Sequence, residues 1–158
     1  MLFRSVRYFW DAERFARFPN LKVLSRAGIG YDNIDVAAAT AAGVVVCNAP
    51  ESPTVSTAEH TMMLLLAVTK ELPAKQRRSR DGLGGPGEAT SLELDGQTLG
   101  LVGMGRIACR VAVAAQALGM RVIACDPFVE VCPVDGVELV PIERIWSDAA
   151  VKIGRAHV

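Results

Sequence analysis

Three small residues spaced as G-x-G-x-x-A form the pattern in this chain that most directly implies chemistry. Gly103 and Gly105 are followed by Ala108, and Asp126 lies 21 residues after Gly105. The first glycine permits a sharp turn, the second lets the backbone approach a pyrophosphate, and a small third residue lets a helix pack closely on a sheet. The N-terminus of that helix directs free N–H groups at the phosphates. The spacing predicts a dinucleotide site.

Asp126 refines the prediction of the cofactor. Its carboxylate can accept hydrogen bonds from the hydroxyls of the adenosine ribose, and it would repel a 2′-phosphate, so the sequence favours NAD over NADP. Two alternatives remain open for the motif alone. A strand–helix turn with glycines also occurs in α/β folds that bind nothing, and Asp126 by itself would also allow a Rossmann domain for another nucleotide such as S-adenosylmethionine.

The glycine pattern has the predicted strand and helix that it needs on either side. Strands are predicted over 98–102 and 121–125, with a helix over 106–118 between them. A third strand follows at 137–140, and Pro141 opens a helix, since proline is favoured at the first helical position. Strand–helix–strand alternation predicts a parallel sheet and an α/β fold.

The first half of the chain alternates in the same way. Asn33 is a candidate N-cap, the wholly apolar strand at 44–47 is typical of a parallel sheet buried on both faces, and Pro73 ends a long helix that begins at Thr54 or Ser56. The Gly-rich, charged segment 77–91 is predicted to be a loop or linker. The remaining predicted elements are helices over 11–18 and 36–42 and a strand over 21–27.

Composition excludes several classes of protein. The chain has 158 residues, 51% of them hydrophobic, and 17 basic side chains balance 17 acidic ones. This excludes a disordered chain and an overall basic nucleic-acid binder. The uncharged stretch 61–69 is about half of the ~20 residues that a membrane span needs. We expect a cytoplasmic protein, because Arg4 and Arg7 interrupt the first apolar residues and no targeting signal is evident.

The cysteines give no indication of a metal site or a disulfide. None forms a C-x-x-C pair, and no histidine lies at metal-ligand spacing from them. Two of them lie in apolar runs that are predicted to be buried strands, so we expect reduced core thiols. The four residues are Cys47, Cys109, Cys125 and Cys132.

Three blocks together carry a family resemblance. They are LKVLSRAGIGYDNID at 21–35, VVVCNAPESPTVSTAEHTMMLLL at 44–66, and the segment 95–127 that contains the glycine pattern and ends in CDP. In this order and spacing they resemble the D-isomer-specific 2-hydroxyacid dehydrogenases, in particular the D-3-phosphoglycerate dehydrogenase type. The resemblance implies a doubly wound Rossmann NAD domain together with part of a flavodoxin-like substrate domain.

The resemblance also implies roles for individual residues. Arg26 would help to hold an anionic substrate, and Gly28 and its neighbours would offer backbone N–H groups to the substrate carboxylate. Ile29 would contact the nicotinamide side of the cofactor. Arg106 and Ile107 match positions whose backbone contacts the pyrophosphate. A structural salt bridge is the alternative role for Arg26.

The resemblance divides residues 1–151 into four segments. Residues 1–50 would be part of the substrate domain, 51–75 an interdomain helix, 76–97 a loop that enters the NAD domain, and 98–151 part of the Rossmann domain. We expect residues 152–158 to be a non-native tail, because Ile-Gly-Arg-Ala-His-Val back-translates to the start of a common sequencing adapter.

The expected activity follows from the family. Its members reduce a 2-keto acid by hydride transfer from the cofactor, and we expect a substrate of the phosphoglycerate or hydroxypyruvate/glyoxylate type. The family's catalytic Arg, Glu and His would lie beyond the end of this chain, so we assign no catalytic residue here and expect this chain alone to be inactive. The alternative is a non-catalytic NAD-sensing binding protein of the co-repressor type.

Glu59 and His60 are adjacent on a predicted helix and therefore point about 100° apart, so they do not form a facing catalytic pair. In the family the matching block and the helix after it help to build the subunit interface. We therefore expect a homodimer or larger assembly in the full-length protein.

Overall fold

The computed structural model describes residues 2–4, 8–83 and 91–154. Its backbone divides the chain into two units, of which the first is Met1–Thr54 and the second Val55–Val158. In the described part of the chain, no helix combines the length and the apolar character needed to cross a membrane.

The first unit is a small parallel sheet with a helix in each connection. The strands lie in chain order across the sheet, so each connection joins adjacent strands. A buried cluster that includes Trp10, Phe15 and Leu24 forms the core between helices and sheet. The strands are β1 (Leu2–Arg4), β2 (Val23–Ser25) and β3 (Val45–Cys47), and the helices are α1 (Ala12–Ala16) and α2 (Val36–Ala41).

Aspartates cap both helices of this unit. Asp11 accepts a hydrogen bond from the Arg14 N–H, and Asp35 accepts one from the Ala38 N–H at 2.8 Å. The prediction that Asn33 caps α2 was wrong. The helix begins at Val36, which makes Asp35 the N-cap, and the Asn33 side chain instead donates to the Tyr8 carbonyl.

Strand β3 corrects a second expectation. The segment 44–47 was predicted to be buried on both faces, yet Val45 is 60% exposed and Cys47 is exposed. Val46 and Leu24 face the core that both helices help to form, and successive side chains of a strand point to opposite faces. Both helices pack in this one core, so Val45 and Cys47 lie on the face of the sheet that the unit leaves uncovered.

All four cysteines are free thiols. Cys125 is only half-buried and Cys47 is exposed, so the expectation of two buried strand cysteines was wrong for Cys47. Cys109 and Cys132 both pack at the margin of the second unit's core, and burial raises the pKa of the Cys109 thiol. Nowhere in the described ranges do three His, Cys, Asp or Glu side chains gather as metal ligands.

Two helices precede the second sheet, α3 (Thr54–Thr69) and α4 (Leu72–Arg80). The break between them lies at Glu71, which adopts a left-handed conformation with φ +53°. Pro73 therefore does not end the long helix but sits in the first turn of the next one, where proline is tolerated. The predicted loop at 77–91 was wrong for residues 77–80, which are helical, while 84–90 lie outside the described residues.

The second unit contains a four-stranded parallel sheet in the order β6 (Glu138–Leu139), β5 (Arg121–Cys125), β4 (Thr98–Val102) and β7 (Val151–Gly154). Strands β4 and β5 have the predicted bounds, whereas Pro141 is the N-cap of its helix and not its first helical residue. From the sequence, no strand was predicted over Val151–Gly154, where β7 lies. That residues 152–158 are a non-native tail stays a prediction. The helices that connect these strands are α5 (Arg106–Ala117) and α6 (Ile142–Asp148).

Helices cover both faces of this sheet. Leu99 and Leu101 on β4 join Val111 of α5 in one buried cluster. On the opposite face, Ile123 of β5 packs with Ile145 of α6 in a second cluster. Strand β4 lies in the interior of the sheet. The next two strands of the chain, β5 and β6, are added on one side of it, and β7 is then added on the other side. This is the doubly wound Rossmann arrangement, and it confirms the predicted fold class.

The contact between β4 and α6 requires glycine. A Cβ added at Gly100 would lie 2.8 Å from the Ala149 Cβ and 2.9 Å from the Ile145 Cγ2. We expect Gly100→Ala to lower the free energy of unfolding by about 1–3 kcal/mol, as overpacking of a core does. Urea unfolding monitored by circular dichroism measures this change.

The matched control is Gly105→Ser. Gly105 has φ −80° and no atom within 4 Å of an added Cβ, and serine is a favoured N-cap residue. We expect its free energy of unfolding to be unchanged or slightly raised. Equal stability of Gly100→Ala and the parent chain would contradict this account of the packing.

Candidate dinucleotide-binding site

The turn after β4 depends on a glycine backbone. Gly103 has φ +98°, a conformation that side chains with a Cβ rarely adopt. Its N–H donates to the Cys125 carbonyl at 2.8 Å, which ties the turn to the end of the neighbouring strand. The first glycine of the motif therefore has the turn role predicted from the sequence.

Gly105 is required neither by the backbone nor by packing. Its φ of −80° suits any residue, and a Cβ there would meet no atom within 4 Å. It is the N-cap of α5 and has no side-chain hydrogen bond to the helix. The first turn of a helix has N–H groups without intrahelical acceptors. Glycine at this position keeps the space in front of those donors open.

Asp126 joins the two strand ends at this edge of the sheet. Its Oδ2 accepts a hydrogen bond from the Met104 N–H at 2.7 Å, and its Oδ1 accepts one from the Phe128 N–H at 2.9 Å. The bond from Met104, followed by that from Phe128, holds the pKa of this carboxyl below its ordinary value. A carboxylate can accept about four hydrogen bonds, so it retains acceptor capacity for two more.

The site lies where the strand order reverses. The glycine turn follows β4, whose neighbours are β5 on one side and β7 on the other. Ligands of open α/β sheets bind outside the carboxyl ends of the strands at such a point. Ile107 and Ala108 pack partly against the core and anchor the start of α5, while Arg106 is exposed. The structure thus brings Gly103, Gly105 and Asp126 together.

The other predicted site residues lie in the first unit, in the loop after β2. The Arg26 Nε donates to the Gly30 carbonyl at 3.1 Å, and its Nη1 donates to the Ala27 carbonyl at 3.3 Å. These bonds engage two of the five N–H groups of the guanidinium. Within the residues that the structure describes, no ion pair involves Arg26, so the alternative of a structural salt bridge is not supported.

The backbone of Gly28 shapes this loop. It has φ +150°, and its N–H closes a tight turn by donating to the Arg26 carbonyl at 3.0 Å. Its N–H is therefore already engaged. Across the described ranges the N–H groups of Ile29 and Gly30 have no acceptor, and these are the donors that the loop retains.

Two residues near these loops were not singled out from the sequence. The Asn48 side chain donates to the Ile29 carbonyl at 3.0 Å and so fixes the loop after β2. Phe128 is 93% exposed beside Asp126. An asparagine after a strand and an aromatic residue in a turn are both common, and no spacing rule distinguishes them.

Comparison with known proteins decides the family. The family model for the catalytic domain of D-isomer specific 2-hydroxyacid dehydrogenases matches residues 2–152. The chain belongs to this family. The resemblance identified from the three sequence blocks is confirmed.

Individual relatives agree with this assignment. The chain is 42% identical over 143 residues to D-3-phosphoglycerate dehydrogenase of Archaeoglobus fulgidus, covering 89% of this chain and 27% of that protein. The TT0316 protein of Thermus thermophilus has a TM-score of 0.88 at 35% identity, with 98% of this chain and 50% of the other covered. D-lactate dehydrogenase of Aquifex aeolicus, solved with NAD and lactic acid, has a TM-score of 0.84 at 27% identity over 98% and 47%.

The chain therefore spans about a quarter of the Archaeoglobus relative and about half of these two solved chains. What this dehydrogenase family member shares with the two solved chains is the fold of the matched part.

The hydrogen bonds of Asp126 give a testable prediction. We expect Asp126→Ala to speed amide hydrogen exchange at Met104 severalfold, because the N–H loses an acceptor whose bond contributes about 0.5–1.5 kcal/mol net. Since the pKa of Asp126 is lowered by folding, its contribution to stability is present above its ordinary pKa of 3.8 and is lost as the pH falls through the folded value.

Hydrogen exchange mass spectrometry and urea unfolding at several pH values measure both effects. Asp135→Ala removes another exposed carboxylate of the same unit and serves as the control, with no change of exchange at Met104. Exchange at Met104 that is the same in Asp126→Ala and the parent chain would contradict the assigned hydrogen bond.

Proposed function

We propose that this chain supplies the cofactor-binding unit and part of the substrate loop of an NAD-dependent oxidoreductase that interconverts a D-2-hydroxy acid and its 2-keto acid. The observation that carries the proposal is the open N-terminus of α5. It faces space that Gly105 leaves free, and Asp126 lies bonded to the same turn. Donors for a pyrophosphate and an acceptor for ribose hydroxyls thus share one edge of the sheet.

The pyrophosphate of NAD would lie in front of α5. Arg106 and Ile107 begin α5, and their backbone would contact the phosphates, because the dipole at a helix N-terminus favours negative charge. When bound, NAD supplies the site that accepts or donates the hydride. The protein contributes position and electrostatics. The Aquifex neighbour is itself a complex with NAD, which supports the choice of cofactor.

Asp126 would select NAD over NADP. Two hydrogen bonds to its oxygens leave about two acceptor positions for the ribose hydroxyls. The lowered pKa keeps the group ionised across the neutral range. A 2′-phosphate on that ribose would place negative charge next to this carboxylate, and like charges repel at short range.

The substrate would bind to the loop after β2. Arg26 retains three guanidinium N–H groups, and the N–H groups of Ile29 and Gly30 add backbone donors, so the loop suits a small anionic 2-hydroxy or 2-keto acid. Ile29 would contact the nicotinamide side of the cofactor. The Archaeoglobus relative is a D-3-phosphoglycerate dehydrogenase, which supports a substrate of the phosphoglycerate or hydroxypyruvate/glyoxylate type. We assign binding and positioning to these residues, and no proton transfer.

The full-length enzyme would be a cytoplasmic homodimer or larger assembly. Helix α3 buries Ala58 and Leu65 in the core of its own unit, yet it exposes Met63, Leu64 and Val68, the last at 74%. An apolar stripe on the outer face of a helix is typical of a subunit interface. Glu59 and His60 are exposed on the same helix and would belong to this interface.

Binding of NADH tests the proposal directly. We expect the chain to bind NADH, measured by the enhanced fluorescence of the bound nicotinamide, and Gly105→Val to weaken binding at least about tenfold. The branched side chain would occupy the space that the pyrophosphate needs. Circular dichroism and the urea midpoint establish that the variant is folded.

Val113→Ala is the matched control, since Val113 is an exposed residue farther along the same helix. Its affinity for NADH should equal that of the parent chain. Undiminished affinity in Gly105→Val, or no saturable binding by the parent chain, would overturn the proposed cofactor site.

A further inference from the structure

Two thiols lie on adjacent segments of the second unit. Cys109 belongs to the first part of α5, and Cys132 belongs to the segment that joins β5 to β6. Both are half-buried free thiols, and both pack against the same hydrophobic cluster. Neither has a part in the proposed cofactor site. Two cysteines at one margin of a core can form a disulfide when their backbones bring the sulfur atoms together.

The segment that carries Cys132 runs along α5, and a hydrogen bond near each of its ends fixes this alignment. At its start, the Asp126 Oδ2 accepts from the Met104 N–H at 2.7 Å. Near its end, the Gln116 Nε2 donates to the Asp135 carbonyl at 2.8 Å. The first bond lies before the helix begins and the second in its last turn, so helix and segment run in the same direction. Each thiol lies between these two hydrogen bonds along its own segment.

The spacing of the residues brings the two thiols to one level. Cys109 and Gln116 are seven residues apart, which is nearly two helical turns, so both lie on one face of α5 about 10 Å apart along its axis. Cys132 and Asp135 are three residues apart, and three residues of extended chain span at most about 10 Å. The two intervals match. The face of α5 that carries Gln116 against the segment therefore carries Cys109 against it as well.

The electrostatics of the pair agree with this placement. Burial raises the pKa of the Cys109 thiol, and the negative charge of a Cys132 thiolate raises it as well. A like charge acts on an ionisable group in this way when it is nearby. The Cys109 S–H also donates to the Met104 carbonyl, with 3.8 Å between sulfur and oxygen. The Cys109 thiol thus keeps its proton beside a second sulfur atom.

We propose that Cys109 and Cys132 are a modification site, a thiol pair that closes to a disulfide when the chain meets a low-molecular-weight disulfide. The Cys132 thiolate attacks one sulfur of that oxidant, whose S–S bond breaks and releases a first thiolate. Cys109 then loses its proton and attacks the Cys132 sulfur of the mixed disulfide, which releases the second thiolate. The two cysteines lose two electrons and two protons, and the oxidant is reduced to two thiols.

The backbone around Cys132 suits this bond. A disulfide needs the two Cα atoms within about 7 Å of each other, and Cys132 lies outside every helix and strand of the described chain, so its segment can adjust without breaking a ladder of hydrogen bonds. The bond would join the segment after β5 covalently to α5. Such a cross-link restricts the unfolded chain and so stabilises the folded one. The inference does not depend on the proposed function.

Incubation with oxidised glutathione, followed by mass spectrometry, tests the proposal. We expect the chain to lose the mass of two hydrogen atoms, the tryptic peptides that contain Cys109 and Cys132 to be joined, and dithiothreitol to reverse both changes. The oxidised chain should unfold at a higher urea concentration than the reduced chain. In Cys109→Ser the second attack is absent, so glutathione should stay bound at Cys132. Cys132→Ser should form no joined peptide.

Cys125→Ser and Cys47→Ser are the matched controls. Cys125 lies in the same tryptic peptide as Cys132, so its replacement assigns the bond, and Cys47 is an exposed free thiol of the first unit. Both variants should form the joined peptide as readily as the parent chain. A parent chain that only takes up glutathione, or a bond that is lost in Cys125→Ser or retained in Cys132→Ser, contradicts the proposal. An oxidised chain with an unchanged urea midpoint contradicts the stabilising cross-link.

Discussion

The pair of hydrogen bonds to Asp126 is the interaction on which the candidate site depends. The neighbouring parallel strands β4 and β5 continue into two separate loops at the same edge of the sheet. The carboxylate accepts one N–H from each loop, from Met104 at 2.7 Å and from Phe128 at 2.9 Å. Both bonds are charge-assisted and therefore stronger than bonds between neutral groups. The turn that would bind phosphate and the turn that would lie along the adenosine are thus held in one arrangement before any ligand binds.

The two motif glycines are needed for different physical reasons. Gly103 is required by the folded chain itself, since its φ of +98° excludes most side chains. Gly105 has an ordinary backbone and empty space around it, so neither its conformation nor its packing requires a glycine. This contrast is the strongest structural argument for a bound group at α5, because packing would tolerate a larger residue there.

The sequence was most informative where local and long-range forces agree. Strands β4 and β5 have the predicted bounds because their apolar runs are covered by helices on both faces. Strand β3 has an equally apolar sequence but only one covered face in its unit, and composition alone does not reveal how many neighbours a strand has. Pro73 was misassigned because proline suits the first turn of a helix as well as its end, and the left-handed Glu71 that separates the helices has no sequence signature.

In the site, residues with a spacing rule were found and those without one were missed. The glycine pattern and the distance to Asp126 follow from the geometry of a strand, a turn and a helix. The engaged N–H of Gly28, the bond from Asn48 to the Ile29 carbonyl and the exposure of Phe128 arise from the tertiary arrangement of loops. None of these three features recurs at a fixed spacing.

We propose that the edge formed by α5, the glycine turn and Asp126 is the NAD site of this dehydrogenase family member. The most direct test of this proposal is a titration of the isotope-labelled chain with NAD, followed by the chemical shifts of backbone amides. The account predicts saturable changes that are largest at Gly105, Arg106, Ile107 and Phe128. Saturable changes confined to other parts of the second unit, with these four amides unaffected, would contradict it.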